Sequence, residues 1–192
     1  RCLGHAVAAP RGGLGDAQWR AIGAVLERPV VLATGALARL PDAPARDALL
    51  GRLRALDPDL LLVSEPDVDL AEPDLRARFT HCWRHHAALF GLLGALDLTP
   101  TERETLALDV FGDRVRDAVG APEAARALRH RAAPSWARAL RRAGFAHTPG
   151  AILPSAPPPP SSPHVTPRRY AGYVGLDRGE RTLTALFAYT PT

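Results

Sequence analysis

The 192-residue chain has no methionine, no lysine and no asparagine. With Arg at position 1, the first absence sets the expectation that these residues belong to a longer translation product. The second means that all 24 Lys-or-Arg positions are arginine. Ala, Leu, Pro and Gly are abundant beside it, as the codons of a G+C-rich genome favour, so arginine content alone is no functional signal. Cysteine is nearly absent. Cys2 and Cys82 form no CxxC and cannot make a disulfide framework, which fits a reducing cytoplasm. No stretch approaches the ~18 apolar residues of a membrane span and no signal peptide is visible, so no membrane partner is expected. Aromatics make up only 6%, too few for a base-stacking platform. Despite a net charge of +4 and a pI near 9.8, no specific nucleic-acid partner is expected. The densest basic run, "RALRHRAAPSWARALRR" (126–142), reads as a solvated helix face, with Arg141 and Arg142 favourable at a helix carboxyl end.

What is present is globular in composition, 46% hydrophobic and 23% charged. "CLGHAVAA" (2–9) is compatible with a strand. "RGGLGD" (11–16) has the look of a phosphate loop, but Pro10 precedes it and the glycine spacing is wrong. It predicts a turn, with Asp16 capping a helix over 17–26. A β run at 30–33 is released by Thr34 and Gly35. A helix over 43–56 follows, with Leu49, Leu50, Leu53 and Leu56 at helical spacing, and Asp57-Pro58 stops it. A second β run at 60–63 completes a β–α–β pattern whose short joints predict adjacent parallel strands. Helices over 73–96 and 101–119 come next, the second opened by a Thr101–Glu104 capping box. The segment 70–133 exceeds a simple crossover and reads as a helical cap inserted over the carboxyl edge of the sheet. A helix over 135–143 ends at Gly144. Then come a strand in "FAHTPGAIL" (145–153), a Pro-rich exposed loop (154–167) and a hairpin of 170–176 and 182–189 around Gly179.

The stretch "LLLVSEPDVD" (60–69) poses the functional question. Leu60 to Val63 read as buried on both faces, yet the run opens into Ser64, Glu65, Asp67 and Asp69. Ligands of open α/β sheets bind beyond the carboxyl ends of the strands. Either the sheet delivers an acidic site there, or the acids are a capped, solvated loop in which Asp69 or Asp74 satisfies the following helix.

From about 29 to 149, the order of motifs resembles the carboxyl half of a GRAS-domain protein, a family of plant regulatory proteins with bacterial members. Leu37, Arg39 and Leu40 match its Leu-x-Arg-Leu run. "LRALDPDLLLVSE" leads to Glu65-Pro-Asp67, which resembles its acidic pair. "RFTHCWRHHAALF" supplies Arg78, Phe79 and Phe90, with His85 and His86 at its tyrosine positions. "DVFGDRVRDAVG" corresponds to its Phe-Gly-Arg-Glu block, with Asp113 and Arg114 in place of the usual charges. Trp136 and Gly144 keep a Trp-x7-Gly spacing, with Phe145 after it, whereas "AYTPT" stands where the family closes on Ser-Ala-Trp. The resemblance implies an α/β fold: a partial Rossmann-like methyltransferase sheet, parallel strands plus a C-terminal antiparallel hairpin, with an inserted helical cap. Residues 1–192 would be the C-terminal part of one such domain. For bacterial members it implies S-adenosylmethionine-dependent methylation of a small-molecule substrate, with the glycine-rich cofactor half lying before Arg1. The alternative is a non-enzymatic regulatory module that uses the cap and the Arg-rich helix to bind a partner protein.

Under the enzyme reading, Glu65 and Asp67 are the catalytic candidates, as a general base or as ligands of a cationic substrate. His86, Phe90, Trp136 and Arg114 are substrate contacts, and Thr34 and Gly35 cofactor contacts. Trp136 alternatively packs its helix on the sheet, and Arg39, Arg78 and Arg114 alternatively pair with acids across the cap joint. His81 and His85 share a helix face but no third ligand is evident, so no metal is expected. The edge of the 30–33 strand, without neighbours, predicts aggregation or a homodimer.

Overall fold

A computed structural model describes residues 15–148 and 164–192. The expected strand at 2–9, the glycines at 12 and 13, and most of the Pro-rich loop lie outside the described residues.

The first helix, α1 (Asp16–Val25), starts from Gly15, whose N–H donates to Gln18 Oε1 at 2.8 Å. Asp16 is not the cap: it lies inside the first turn and pairs with Arg52. Strand β1 (Val30–Thr34) is followed by a 3₁₀ turn, Leu37–Arg39. Helix α2 (Ala43–Ala55) is capped by Asp42, which accepts from Ala45 N at 2.8 Å, and Pro44 sits in its first turn, where no amide is needed. It ends where Asp57 turns to φ +45° ahead of Pro58. Strand β2 (Leu60–Pro66) pairs in parallel with β1, Val31 opposite Leu61. The β–α–β reading therefore holds, but the strand does not stop at Val63. Burial alternates along it, with Leu61, Val63 and Glu65 facing the interior, so Ser64 and Glu65 belong to the sheet and not to a loop.

Helix α3 (Leu75–Ala95) is capped by Asp74 and buries Arg78, Cys82, His85, His86 and Leu93. The next helical stretch begins as α4 (Pro100–Thr105). Its capping box is Thr99–Glu102, two residues earlier than the expected Thr101–Glu104, because Pro100 occupies the first helical position. The stretch then widens into π turns at Leu106–Gly112 and Arg116–Gly120, on either side of α5 (Asp113–Val115). Helix α6 (Ala133–Arg142) carries Arg141 and Arg142 in its last turn and is released by Gly144 at φ +82°. The first half of the basic run is not a solvated helix face. Residues 126–132 form neither helix nor strand, and buried Arg126 donates to the carbonyls of Leu70 and Leu128 and pairs with Glu123. Arg78 does the same from α3, donating to Ala118 O at 2.8 Å and Glu72 O at 2.7 Å. Together these arginines tie the 118–130 segment to the connection after β2.

Strand β3 covers Phe145–His147, and positions 149–153 of the expected strand lie outside the described residues. The closing strands are β4 (Thr166–Tyr170), β5 (Tyr173–Arg178) and β6 (Arg181–Pro191), with Gly179 at φ +60° in the last turn. The hairpin has a third strand, because Tyr170 belongs to β4. Pro167, expected in an exposed loop, is in that strand, which stands at the sheet edge where a missing N–H costs little. The sheet order is β1-β2-β6-β5-β4, with β3 also pairing β6, and only the β1–β2 pair is parallel. This is a mixed α/β fold with a partly parallel sheet. Its main core lies between the sheet and helices α2 and α6: Leu61, Val63, Phe187 and Tyr189 meet Leu50, Leu53, Trp136 and Leu140. A smaller cluster of Val68, Leu70, Cys82 and Ala118 sits under α3.

Candidate functional site

The end of β2 is where charge enters the interior. Glu65 is fully buried, and its Oε1 accepts from Leu37 N at 2.8 Å, closing the first turn of the 3₁₀ segment. Burial pushes its carboxyl up to about 7, against the pull of the Leu37 and Ala38 amides and of Arg39 and Arg114. The other oxygen, Oε2, lies 3.9 Å from His130 Nδ1, beyond hydrogen-bond reach. Burial lowers His130 to about 4, with Arg114 adding to the effect. Between those two values both partners are uncharged, so the pair is two neutral groups in contact and not an ion pair.

His85 and His86 line the same region from α3. Their rings meet edge-on at 5.3 Å, and His86 also meets Phe111 edge-on at 6.4 Å. His86 Nδ1 lies 2.9 Å from the Cys82 carbonyl, so it donates there and Nε2 is the basic nitrogen. Burial holds His85 at about 3 and lowers His86. His85 Nδ1, His86 Nε2 and both His130 nitrogens are buried without hydrogen-bond partners. Half-buried Arg114 completes the group; its pKa falls through burial and Arg39, and Glu65 opposes the fall.

The expected site residues thus divide. Glu65, His86 and Arg114 share one electrostatic neighbourhood. Asp67 is elsewhere in role: its Oδ1 accepts from Ala133 N at 2.7 Å and caps α6. Trp136 is in the main core with its indole N–H unpartnered, beside a cavity of about 30 Å3 that it shares with Leu37 and Arg46, room for one water. Phe90 is 42% exposed and packs edge-on against Phe111. Thr34 is exposed at the end of β1, and Gly35, at φ +58°, spends its amide on Ser64 O. Of the arginines, Arg78 serves the joint through carbonyls more than through its acid, Glu123, at 3.7 Å. Two residues escaped the sequence reading. His130 and Arg126 sit in a run that looks merely basic; their one signal was the helix-breaking "RAAP" that follows.

The match to family models decides the kinship. The GRAS domain family model matches residues 22–151, about two-thirds of the 192. The chain belongs to the GRAS domain family. It is similar to Scarecrow-like protein 18 of Arabidopsis thaliana, at 30% identity over 102 residues, covering 52% of this chain and 23% of that protein. It is also similar to Protein SHORT-ROOT 2 of Oryza sativa subsp. japonica, at 33% over 115 residues, covering 54% and 19%. Among solved structures, that of SCL7 from Oryza sativa superposes with a TM-score of 0.69 at 21% identity, over 83% of this chain and 47% of that one. That likeness carries the fold alone. The chain spans about a fifth to a quarter of these GRAS relatives and under half of the SCL7 chain.

These findings correct two expectations. The relatives are plant GRAS proteins, not bacterial methyltransferases, and a small-molecule substrate is not the partner they indicate. Both acids expected at a substrate accept from backbone amides of this chain, Glu65 from Leu37 N and Asp67 from Ala133 N. Among the described residues no helix is long and apolar enough to cross a membrane.

Proposed function

We propose that this GRAS chain is a regulatory module that works by binding another protein and not by chemistry at the strand ends. The carrying observation is that Glu65 has no solvent exposure and caps the 3₁₀ turn, while Asp67 caps α6. A general base must reach the proton it removes, and neither acid is placed to do so. In this reading 70–133 is the interaction cap, built on α3 and the 100–120 helix. The finer fold kinship, with the sheet of a Rossmann-like methyltransferase, is supported by parallel β1 and β2 joined through α2 and by antiparallel β6 beside β2. The implied cofactor fits poorly at the end of β1: the Gly35 amide is already bonded, which leaves the Thr34 hydroxyl to meet it.

Two measurements on the chain and on the longest product of its gene test the proposal. Calorimetry with S-adenosylmethionine is expected to give no heat; saturable binding would restore the enzyme reading. Affinity capture from the source cells is expected to recover a protein that is lost when the exposed cap residues Phe79 and Trp83 are both changed to serine. Recovery indifferent to that change would defeat the proposal.

A further inference from the structure

The imidazoles gathered around Glu65 are buried and short of partners. His85 Nδ1, His86 Nε2, both nitrogens of His130 and Glu65 Oε2 make no hydrogen bond. Buried polar atoms are almost always paired, so several unpaired ones at one place are what a ligand site offers. The elements that carry them are tied together. Glu65 Oε1 accepts from Leu37 N at 2.8 Å, and Arg129 N donates to Ala38 O at 2.6 Å, which joins β2, the 3₁₀ turn and the 126–132 segment.

Two arginines stand at this group. Exposed Arg39 ends the 3₁₀ turn that Glu65 closes, and half-buried Arg114 lies in α5, three residues beyond the Phe111 ring that meets His86. Their charges act on each other, and both act on Glu65 and His130. Among the described residues neither guanidinium has a hydrogen-bond acceptor or a carboxylate within ion-pair distance. Glu65 does not neutralise them, because burial pushes its carboxyl up to about 7. After burial, the charges that keep His85, His86 and His130 neutral are those of Arg39, Arg114, Arg126 and Arg181 and of one another. Such surroundings favour an anion and repel a cation. In keeping with that, among the described residues no three His, Cys, Asp or Glu side chains are placed to hold a metal ion.

His86 narrows the class of anion. Its Nδ1 donates to the Cys82 carbonyl, so Nε2 has a lone pair and needs a donor. Sulfate or an ionised carboxylate, including one from elsewhere in a longer protein, offers acceptors alone. A phosphate near neutral pH presents oxyanions to the arginines and, in its singly protonated form, an O–H to the imidazole. We propose that Arg39 and Arg114, with His86 and His130 behind them, bind a phosphoryl group as a ligand. The inference stands apart from the interaction-module reading, since it concerns the end of β2 and not the exposed side chains of the cap.

Calorimetry at pH 7 tests it on the longest product of the gene and on this chain, with inorganic phosphate as probe and sulfate at matched ionic strength as comparison. Phosphate is expected to fill a single saturable site in both proteins, with sulfate weaker by about tenfold, the loss of one charge-assisted hydrogen bond. Arg39→Gln, at an exposed position, and Arg114→Gln should each weaken phosphate by about tenfold or more, and Arg39→Lys should recover part of the loss. Arg20→Gln, on exposed α1, should change nothing. His86→Phe should erase the preference for phosphate over sulfate, with circular dichroism checking the fold. A short phosphoserine peptide and its unphosphorylated twin separate the sources. Tighter binding of the phosphopeptide than of phosphate assigns the group to a partner chain; failure of the phosphopeptide while phosphate binds assigns it to a free anion. No saturable phosphate binding, sulfate as tight as phosphate, or an equal loss on Arg20→Gln would each overturn the proposal. So would binding that this chain shows and the longest product lacks, because the site would then be filled from within the protein.

Discussion

Changing Glu65 to glutamine removes one ionisable proton from the interior and leaves the shape of the side chain. The amide oxygen can still accept from Leu37 N, and the NH2 group can face His130. In the wild type the folded carboxyl titrates near 7 against 4.5 for the free group. Its folded pKa is raised, so its contribution to stability is fully present below pH 4.5 and is lost as pH rises towards 7. At ~1.4 kcal/mol per pKa unit, the loss amounts to about 3 kcal/mol. Glu65→Gln should thus gain on the wild type by about 3 kcal/mol between pH 4.5 and 8, with the gain level above pH 7. The histidines act in the opposite sense. His85 at about 3 and His130 at about 4 have lowered pKa values, so both give stability present above pH 6.5 and lost as pH falls through those values. The wild-type curve therefore mixes the two trends, and the difference between variant and wild type isolates the glutamate. Urea unfolding of both proteins at half-unit steps of pH measures it. A difference that stays flat across this range, or one that shrinks as pH rises, would refute the burial argument.

Other outcomes follow from the packing. Asp67→Ala should cost about 1–2 kcal/mol in urea unfolding, because the first amide of α6 loses its acceptor, whereas Asp67→Asn should recover much of that. Gly175→Ala should cost more than 2 kcal/mol, since the new methyl would sit 2.7 Å from Asp177 Oδ1 and from the Tyr170 ring, with no room between them. Leu32→Lys should reduce concentration-dependent light scattering of the chain: β1 is the sheet edge, and Val30 and Leu32 are largely exposed on it.

Much of the frame could be read from residue order. Leucines at helical spacing between two short β runs gave α2 and the parallel pair, and Gly144 and Gly179 marked true stops. The sequence misled where polar residues carry out interior work. Ser64 and Glu65 look like the start of a loop, yet a strand that alternates Leu61, Val63, Glu65 places an acid inside if a backbone amide awaits it there. Arg126 looks like surface charge until the carbonyls of Leu70 and Leu128 surround it. Pro167 argued against a strand, but an edge accepts proline. The site was half legible: Glu65, His86 and Arg114 do gather, whereas His130 arrives from a segment whose path depends on those buried arginines. The exposed Leu75, Phe79 and Trp83 of α3 are legible in the sequence as apolar residues at four-residue steps.

Strand β6 sets a constraint on how the chain comes to be folded. It lies at the centre of the sheet, holding β2 along one edge and β5 with β3 along the other, and it follows all of them in chain order. β2 can pair with no strand but β1 until β6 has been made, so Leu61 and Val63 wait without Tyr189 and Phe187. Pairings so distant in sequence form slowly and expose apolar strands meanwhile. The sheet therefore cannot be completed piece by piece from the amino end: the β1–α2–β2 unit keeps one strand edge unpaired until the last strand arrives.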